Sequence, residues 1–410
     1  MLGVYCFKSP ALKSAMVNIE YYVLDNGLRL LISRAEVPTV GVAIGVGIGS
    51  IYEEEDQRGI SHFAEHIIYR AYPNIDLEIE GLGGASDAYT ERTLTMYLFE
   101  VIPSELMNLL KLINNMFSTR RVNSDDFERE RKVILSEIRM RSDDPGTLIY
   151  DLGPRALFGD SDYGSPIIGT EESISSMDTK DLEDFLESYY TPDNMVISIV
   201  GPINTPINEV MELFRRWEGR VGRKKNPVMG RGGPIIIRKP IESAYLSYAW
   251  QYNVGDEDPF LLSIRSSLLE FHLVNGLSSY LTSRFRNKGL TYTIDMDRDY
   301  LPGTYYYQLV ISSVDYGSID TVKEELTNAL ASADELFKDE YYLNKRLNFL
   351  RYLISDYLRR PIQVAESMSY MELKLGNHDI DGFNKGLEEH FRDPLGGLIT
   401  SGVWSEIIPS

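Results

Sequence analysis

The sequence has 410 residues, 43% of them hydrophobic and 25% charged, and a formal net charge of −20. This length predicts two or three domains in an ordinary globular protein. The negative charge argues against nucleic-acid binding, and no apolar run is long enough to span a bilayer. The one cysteine, Cys6, excludes an intrachain disulfide, so we expect a cytoplasmic location. If the acid-free N-terminus is a transit peptide, an organellar matrix is the alternative.

The chain begins with an expected N-terminal extension, residues 1–16, before the first β-rich run. The runs 17–24 and 28–33 predict a hairpin, because they flank the turn-forming pair Asn26-Gly27. A glycine-containing apolar run, 39–50, predicts a buried strand, and a polar loop follows it.

The next stretch, 59–70, contains His62-Phe63-Ala64-Glu65-His66. On a helix, His62 and His66 lie one turn apart on one face, where two imidazoles can bind one zinc ion. Glu65 lies beside them and could take a proton from water at the metal. The order H-x-x-E-H occurs in one class of zinc peptidases. The alternative is a pair of ordinary histidines on a surface helix.

Residues 81–101 predict a glycine-rich turn that leads into a strand. Two interpretations stay open, because periodicity does not separate them. The strand is either an internal sheet strand or an edge strand near the metal. An edge strand could bind an extended peptide through main-chain hydrogen bonds.

Two helices follow, one over 103–118 and one that begins at Ser124 as the expected N-cap and ends at Asp143-Asp144-Pro145. On the second helix, Glu130 and Glu137 are two turns apart on one face. Two carboxylates on a partly apolar face are costly to bury without a cation, so they should meet a metal or arginines. An irregular stretch, a helix over 177–190 and a strand over 194–201 complete the first half.

A segment rich in proline and glycine, 224–234, is the predicted linker between two domains. The second half predicts strands at 235–238, 244–250, 290–297 and 303–313, helices near 258–286, and three long helices over most of 316–392.

Four stretches resemble, in family order, the M16 family of zinc peptidases, which includes pitrilysin and the mitochondrial processing peptidases. They are GSIYEEEDQRGISHFAEH, GGASDAYTERTLTMY, FERERKVILSEIRMRSDDP and YGSPIIGTEESISSMDTKDLEDFLESYYTPDNMVISIVG. The resemblance implies an α/β (α+β) fold of two homologous domains, each a mostly antiparallel sheet packed with helices. The implied units are a zinc-bearing domain, 17–223, the linker 224–234, and a second domain without a metal site, 235–410.

The resemblance also implies one Zn²⁺ per chain, bound by His62, His66 and Glu137 with the fourth position open for water. Glu65 would be the general base, and Glu130 would support the ligands without binding the metal. Glu130 in place of Glu137 is the alternative ligand.

For substrate binding, the resemblance implies the strand residues Asp87, Ala88, Tyr89 and Thr90. The family usually has Asn at the position of Asp87, so the added carboxylate either favours basic side chains or replaces one hydrogen bond with another. A later element, 276–294, resembles the family's Arg…Gly-Leu-x-Tyr segment, with Arg286 and Tyr292 as the best matches. The spacing there is one residue short, so Arg284 is the alternative arginine.

The function implied is a zinc metalloendopeptidase that cleaves unfolded or short peptides in a chamber formed with a second chain. The irregular spacing of the Arg–Tyr element favours a heterodimer with a zinc-free homologous subunit, with a homodimer as the alternative. The acidic charge suggests basic peptides as substrates. The alternative function is a non-catalytic or peptide-presenting subunit of a larger complex.

Overall fold

The computed structural model describes residues 18–70, 72, 74–118 and 120–410. The predicted extension 1–16, with Cys6, lies outside the described residues. The architecture is mixed α/β with two sheets, each covered by helices, as the sequence predicts. Among the described residues, no helix is both long and apolar enough to cross a membrane.

Among the described residues the first sheet has six strands, and four of its five strand pairs are antiparallel. The strand order is β1-β2-β6-β3-β5-β4, so β4 forms one edge of the sheet. The strands are β1 (Ile19–Val23), β2 (Arg29–Arg34), β3 (Val40–Val46), β4 (Ala85–Thr90), β5 (Thr95–Val101) and β6 (Met195–Gly201).

The helices of the first half pack mainly on one face of this sheet. They are α1 (Ile60–Arg70), α2 (Ile75–Gly81), α3 (Leu106–Ser118), α4 (Ser124–Asp143), α5 (Pro145–Phe158), α6 (Glu171–Ser176), α7 (Thr179–Tyr189) and α8 (Ile207–Phe214). The large core of this half lies between the sheet and these helices, with α1 in contact with α3, α4 and α7.

The second sheet has five strands in the order β7-β11-β8-β10-β9, and three of its four pairs are antiparallel. The elements of this half, in chain order, are β7 (Ile235–Lys239), β8 (Ala244–Asn253), α9 (Pro259–Leu273), α10 (Tyr280–Asn287), β9 (Thr293–Leu301), β10 (Thr304–Val314), α11 (Ile319–Ala331), α12 (Glu340–Tyr357), α13 (Pro361–Leu375), α14 (Ile380–Glu389) and β11 (Val403–Pro409). The predicted linker, 224–234, contains no helix or strand.

Each half contributes one helix to the sheet of the other half. The helix α13 packs on β3, β5 and β6 of the first sheet, and α5 packs on β8, β10 and β11 of the second. Both contacts depend on glycine. A Cβ atom at Gly41 would lie 2.4 Å from the backbone nitrogen of Ile362, and one at Gly153 would lie 2.4 Å from the side chain of Gln308. Any larger residue would therefore push these helices away from the sheets.

The hairpin β1–β2 is confirmed, with Gly27 at φ +93° in its turn. The prediction of one strand within 81–101 was wrong, because this stretch folds into the hairpin β4–β5. The N–H of Glu91 bonds the carbonyl of Leu94 at 2.8 Å and closes the turn. Of the two interpretations, the edge strand is therefore the one observed, and it comprises residues 85–90.

Other predictions were wrong in detail. The N-cap of α4 is Asn123 and not Ser124, since its side chain accepts hydrogen bonds from the N–H groups of Asp125 and Asp126. Residues 103–105 form a separate 3₁₀ turn before α3. The stretch predicted as irregular contains α5 and α6, and Asp144 both follows α4 and caps α5. In the second half, four helices replace the predicted three, and β11 was not predicted.

Candidate metal centre

The helix α1 is held at its start by the buried carboxylate of Glu53. Its two oxygens accept the N–H groups of Gly59, at 2.7 Å, and Ser61, at 2.8 Å. Burial raises the pKa of Glu53 to about 7, against the lowering effect of these hydrogen bonds. This side chain satisfies two of the N–H groups that a helix N-terminus leaves free, and so it fixes where α1 begins.

Aromatic packing sets α1 against α4. The ring of Phe63 stacks on Phe127 of α4, with centroids 4.9 Å apart. The helical spacing that turns Phe63 into the core turns His62 and His66 to the neighbouring face. The polar face of α1 is thereby opposed to the face of α4 that carries Glu130 and Glu137.

Three side chains from the two helices converge at this face. The Nε2 atoms of His62 and His66 each lie 3.9 Å from Oε2 of Glu137, and one ligand atom from each residue lies within 4.8 Å of the others. Tetrahedral zinc with bonds of about 2.1 Å requires donor atoms roughly 3.4 Å apart. The distances among the two imidazole nitrogens and the carboxylate oxygen are slightly longer than this value. A small inward shift of the side chains would therefore let the three atoms bind a zinc ion.

Burial keeps the His62 ring neutral, since desolvation, followed by the charge of His66, lowers its pKa to about 3. A neutral imidazole is the form that can bind a metal. Within the described residues, Nδ1 of His62 is buried and has no hydrogen-bond partner.

The second carboxylate, Glu130, approaches His66 from the other side of its ring. Oε2 of Glu130 lies 3.1 Å from Nδ1 of His66, and because a carboxylate only accepts, the ring nitrogen donates. This hydrogen bond is the main cause of the lowered pKa of Glu130. The guanidinium groups of Arg70 and Arg129 also contact it, at 3.4 and 3.6 Å. A proton on Nδ1 leaves the lone pair of His66 on Nε2, toward Glu137.

The buried Glu65 lies next to the edge strand β4. Its Oε2 accepts a hydrogen bond of 2.5 Å from the hydroxyl of Thr90. Burial is the main cause that raises the pKa of Glu65 to about 7, and this hydrogen bond opposes it. The contact fixes the carboxylate between the three converging side chains and the strand.

The other strand residues predicted to bind substrate alternate between the two faces of β4. Ala88 packs against the core on the α1 side, and Tyr89 packs on the α13 side. Asp87 is exposed, and its Oδ1 accepts the N–H of Ala88 at 2.9 Å. In the described part of the chain β4 pairs with β5 alone, so its outer edge is free.

Arg286 and Tyr292 lie in the second half, at the end of α10 and just before β9. The guanidinium of Arg286 lies 4.8 Å from the ring centroid of Tyr292, which is 73% exposed. The alternative arginine, Arg284, is held in an ion pair with Glu325. Of the predicted site residues, the structure groups His62, Glu65, His66, Thr90, Glu130 and Glu137, whereas Arg286 and Tyr292 contact each other.

Sequence reasoning missed Glu53 and Arg70. Glu53 precedes the start of α1, where acidic side chains are favoured. It lies six residues before Gly59 in the sequence, so local spacing does not predict their hydrogen bond. Arg70 follows His66 by four residues on α1, so the sequence predicts that both lie on the same face. The sequence does not predict that Arg70 contacts Glu130 on α4.

The chain has two α/β halves, and in the first half the H-x-x-E-H helix faces a helix that carries two carboxylates. These features are those of a two-domain metallopeptidase-like protein. Residues 29–171 match the family model "Insulinase (Peptidase family M16)", and residues 176–344 match "Peptidase M16 inactive domain". The chain therefore belongs to peptidase family M16.

Relatives of known sequence carry zinc-protease names. The chain is 29% identical over 287 residues to the uncharacterized zinc protease YmxG of Bacillus subtilis, covering 67% of this chain and 69% of that protein. It is 31% identical over 305 residues to an uncharacterized zinc protease of Mycobacterium tuberculosis, covering 70% and 68%.

Solved structures share the fold. A protease from Helicobacter pylori superposes with a TM-score of 0.84 at 20% identity, covering 96% of this chain and all of that one. Pitrilysin superposes with a TM-score of 0.66 at 18% identity, and the match covers 97% of this chain but 45% of pitrilysin.

Proposed function

We propose that this protein is a zinc metalloendopeptidase that cleaves unfolded or short peptides. The observation that carries the proposal is the convergence of two imidazole Nε2 atoms on one oxygen of Glu137, with Glu65 beside them. His62, His66 and Glu137 would hold one Zn²⁺ per chain. The zinc-protease names of the relatives support this metal and this activity.

A zinc ion bound there would supply a Lewis acid and make a nearby water more acidic. Glu65 would take the proton of the attacking water and pass it to the leaving amine. The hydroxyl of Thr90 holds Glu65 in place for both transfers, because it bonds one carboxylate oxygen and leaves the other free. Glu130 would hold the ring of His66 with Nε2 turned toward Glu137.

The peptide would lie along β4 as an added strand. The free edge of β4 offers main-chain groups, and Thr90 connects the strand to the general base. Main-chain recognition requires an extended substrate, so a folded protein would have to unfold locally before cleavage.

A second chain would complete the site. Arg286 and Tyr292, in family-like positions, contact each other on the second half and leave the tyrosine exposed, where a partner could meet them. Only the first half carries H-x-x-E-H. A heterodimer with a zinc-free homologue, or a homodimer, would enclose peptide between halves of opposite chains.

The test is cleavage of a mixed peptide pool by the purified protein, with its zinc content measured in the same sample. Chelator-sensitive cleavage that is lost in Glu65→Gln, with zinc still bound, is expected. Glu55→Gln, an exposed change of equal charge nearby, is the matched control.

Two results separate the alternatives. Cleavage that survives in zinc-loaded Glu65→Gln would refute the assigned base. Peptide binding without cleavage by the zinc-loaded wild-type protein would favour a peptide-presenting subunit, and co-purification would then identify its partner.

A further inference from the structure

A cavity of about 710 Å³ lies behind the edge strand, between the two halves. From the first half, Tyr89 and Glu91 reach its wall. The remaining wall comes mainly from α9, β9, α12, α13 and α14 of the second half, together with Tyr305 of β10 and Asn275. The cavity is therefore on the face of β4 opposite to the metal ligands.

Most charges in this cavity are already neutralised by partners. Arg298 is bonded to Glu270 at 2.6 Å, and Glu91 is paired with Lys374 at 2.8 Å. Two carboxylates are exceptions, Asp297 of β9 and Glu366 of α13, since no cation of the described chain lies within ion-pair distance of either. Of the two, Glu366 is bonded to the edge strand, because its Oε1 accepts the hydroxyl of Tyr89 at 2.8 Å. Burial is the main cause that raises the pKa of Glu366, the hydrogen bond from Tyr89 opposes it, and the charge of Asp87 adds to it.

The pleat of β4 connects this cavity to the proposed peptide path. Thr90 contacts Glu65 on one face of the strand, and Tyr89 contacts Glu366 on the other. A peptide added to the free edge has the same alternation, so every second side chain points to the α13 face. Asp87 lies on this face by its two-residue spacing from Tyr89. A long side chain there would meet both Asp87 and Glu366.

We propose that this cavity is a subsite for a lysine or arginine side chain of a peptide bound along β4, with Glu366 and Asp87 as the groups that accept its charge. The inference rests on the proposed function. The tyrosines Tyr357 and Tyr370 line the same cavity and would contact the methylene stem. The subsite selects a charge without touching the metal, because the sheet edge separates the two faces.

The experiment measures binding and cleavage separately. Each fluorescently labelled peptide carries a single arginine in an otherwise uncharged sequence. The matched peptide has the uncharged isostere citrulline at the same position. Their affinities are measured by anisotropy on the zinc-loaded Glu65→Gln variant, which keeps the peptides intact. We expect at least one arginine position to bind roughly 10-fold tighter than its citrulline partner, as a charged hydrogen-bonded pair predicts.

Adding Glu366→Gln should reduce this ratio to about 2 or less, and Asp87→Asn should reduce it partly. The control is Glu324→Gln, an exposed residue on α11 with the same change in net charge, which should keep the full ratio. Equal binding of arginine and citrulline peptides, or a ratio that survives Glu366→Gln, would overturn the subsite.

Cleavage of the citrulline peptide by the wild-type protein tests the proposed function independently. Cleavage without arginine preference would refute the subsite and leave the peptidase intact. An arginine preference that depends on Glu366, without cleavage, would support the subsite and refute the peptidase.

Discussion

Replacing Glu130 by Gln should weaken zinc binding although Glu130 is not a proposed ligand. Oε2 of Glu130 accepts the Nδ1 proton of His66 at 3.1 Å, and the residue is 3% exposed. Glutamine preserves the volume but removes the charge that favours the Nδ1 proton. It also removes one of the two carboxylates that pair with each of Arg70 and Arg129. Loss of such a supporting carboxylate typically weakens metal affinity about 10- to 100-fold.

The assay is competition for zinc between the protein and a chromogenic chelator at pH 7.5, together with urea unfolding of the metal-free protein. We expect the dissociation constant for zinc to rise by the stated factor. The free energy of unfolding should change by no more than about 2 kcal/mol. The control is Glu128→Gln, an exposed glutamate of the same helix, which should leave the zinc affinity unchanged.

An unchanged zinc affinity in Glu130→Gln would refute the inference that this carboxylate fixes the His66 ring. An equal loss of zinc affinity in Glu130→Gln and Glu128→Gln would show a general effect of charge. The hydrogen bond to His66 would then not be the cause of the weaker zinc binding.

Two predictions concern stability. Glu53→Ala removes the acceptor of two buried N–H groups at the start of α1 and should lower the free energy of unfolding by about 2 kcal/mol. The measurement is urea denaturation, and the exposed control Glu55→Ala should leave the free energy of unfolding almost unchanged. His272 is 1% exposed, and burial lowers its pKa from 6.5 to about 4. Between pH 6.5 and pH 4 the unfolded chain therefore binds a proton at His272 that the folded chain does not bind. As the pH falls through this range, this difference lowers the free energy of unfolding by up to about 3 kcal/mol. Unfolding at pH 7 and pH 5 should show a smaller difference in His272→Gln than in the wild type, and an equal difference would contradict the assignment.

The local part of the site was predictable from sequence because helix geometry alone brings its residues together. His62, Glu65 and His66 lie within five residues, and α1 forms where the pattern predicts a helix. The position of Glu137 depends instead on how α4 packs against α1, and spacing along the chain carries no such information. The resemblance to the family supplied it.

The missed elements are those that tertiary contacts stabilise against local propensity. The helix α5 contains Gly146, Gly153 and an internal Pro154, which disfavour a helix in isolation. It forms because Gly153 permits close packing on Gln308 of the second sheet. The strand β11 likewise pairs with β7 and β8, the first parallel and the second antiparallel, so its stability comes from neighbours distant in sequence.

The exchange of α5 and α13 limits how the two halves can move. A rotation about segment 224–234 alone would pull α13 off the first sheet, where Ser369 bonds Ser198 at 2.7 Å in the core. Any opening motion must leave α13 with the first sheet and bend the chain at its ends. The residue that follows its C-terminal end is Gly376, at φ +61°, and glycine changes backbone angles at little steric cost. We therefore expect any hinge between the two halves to lie at the ends of α13.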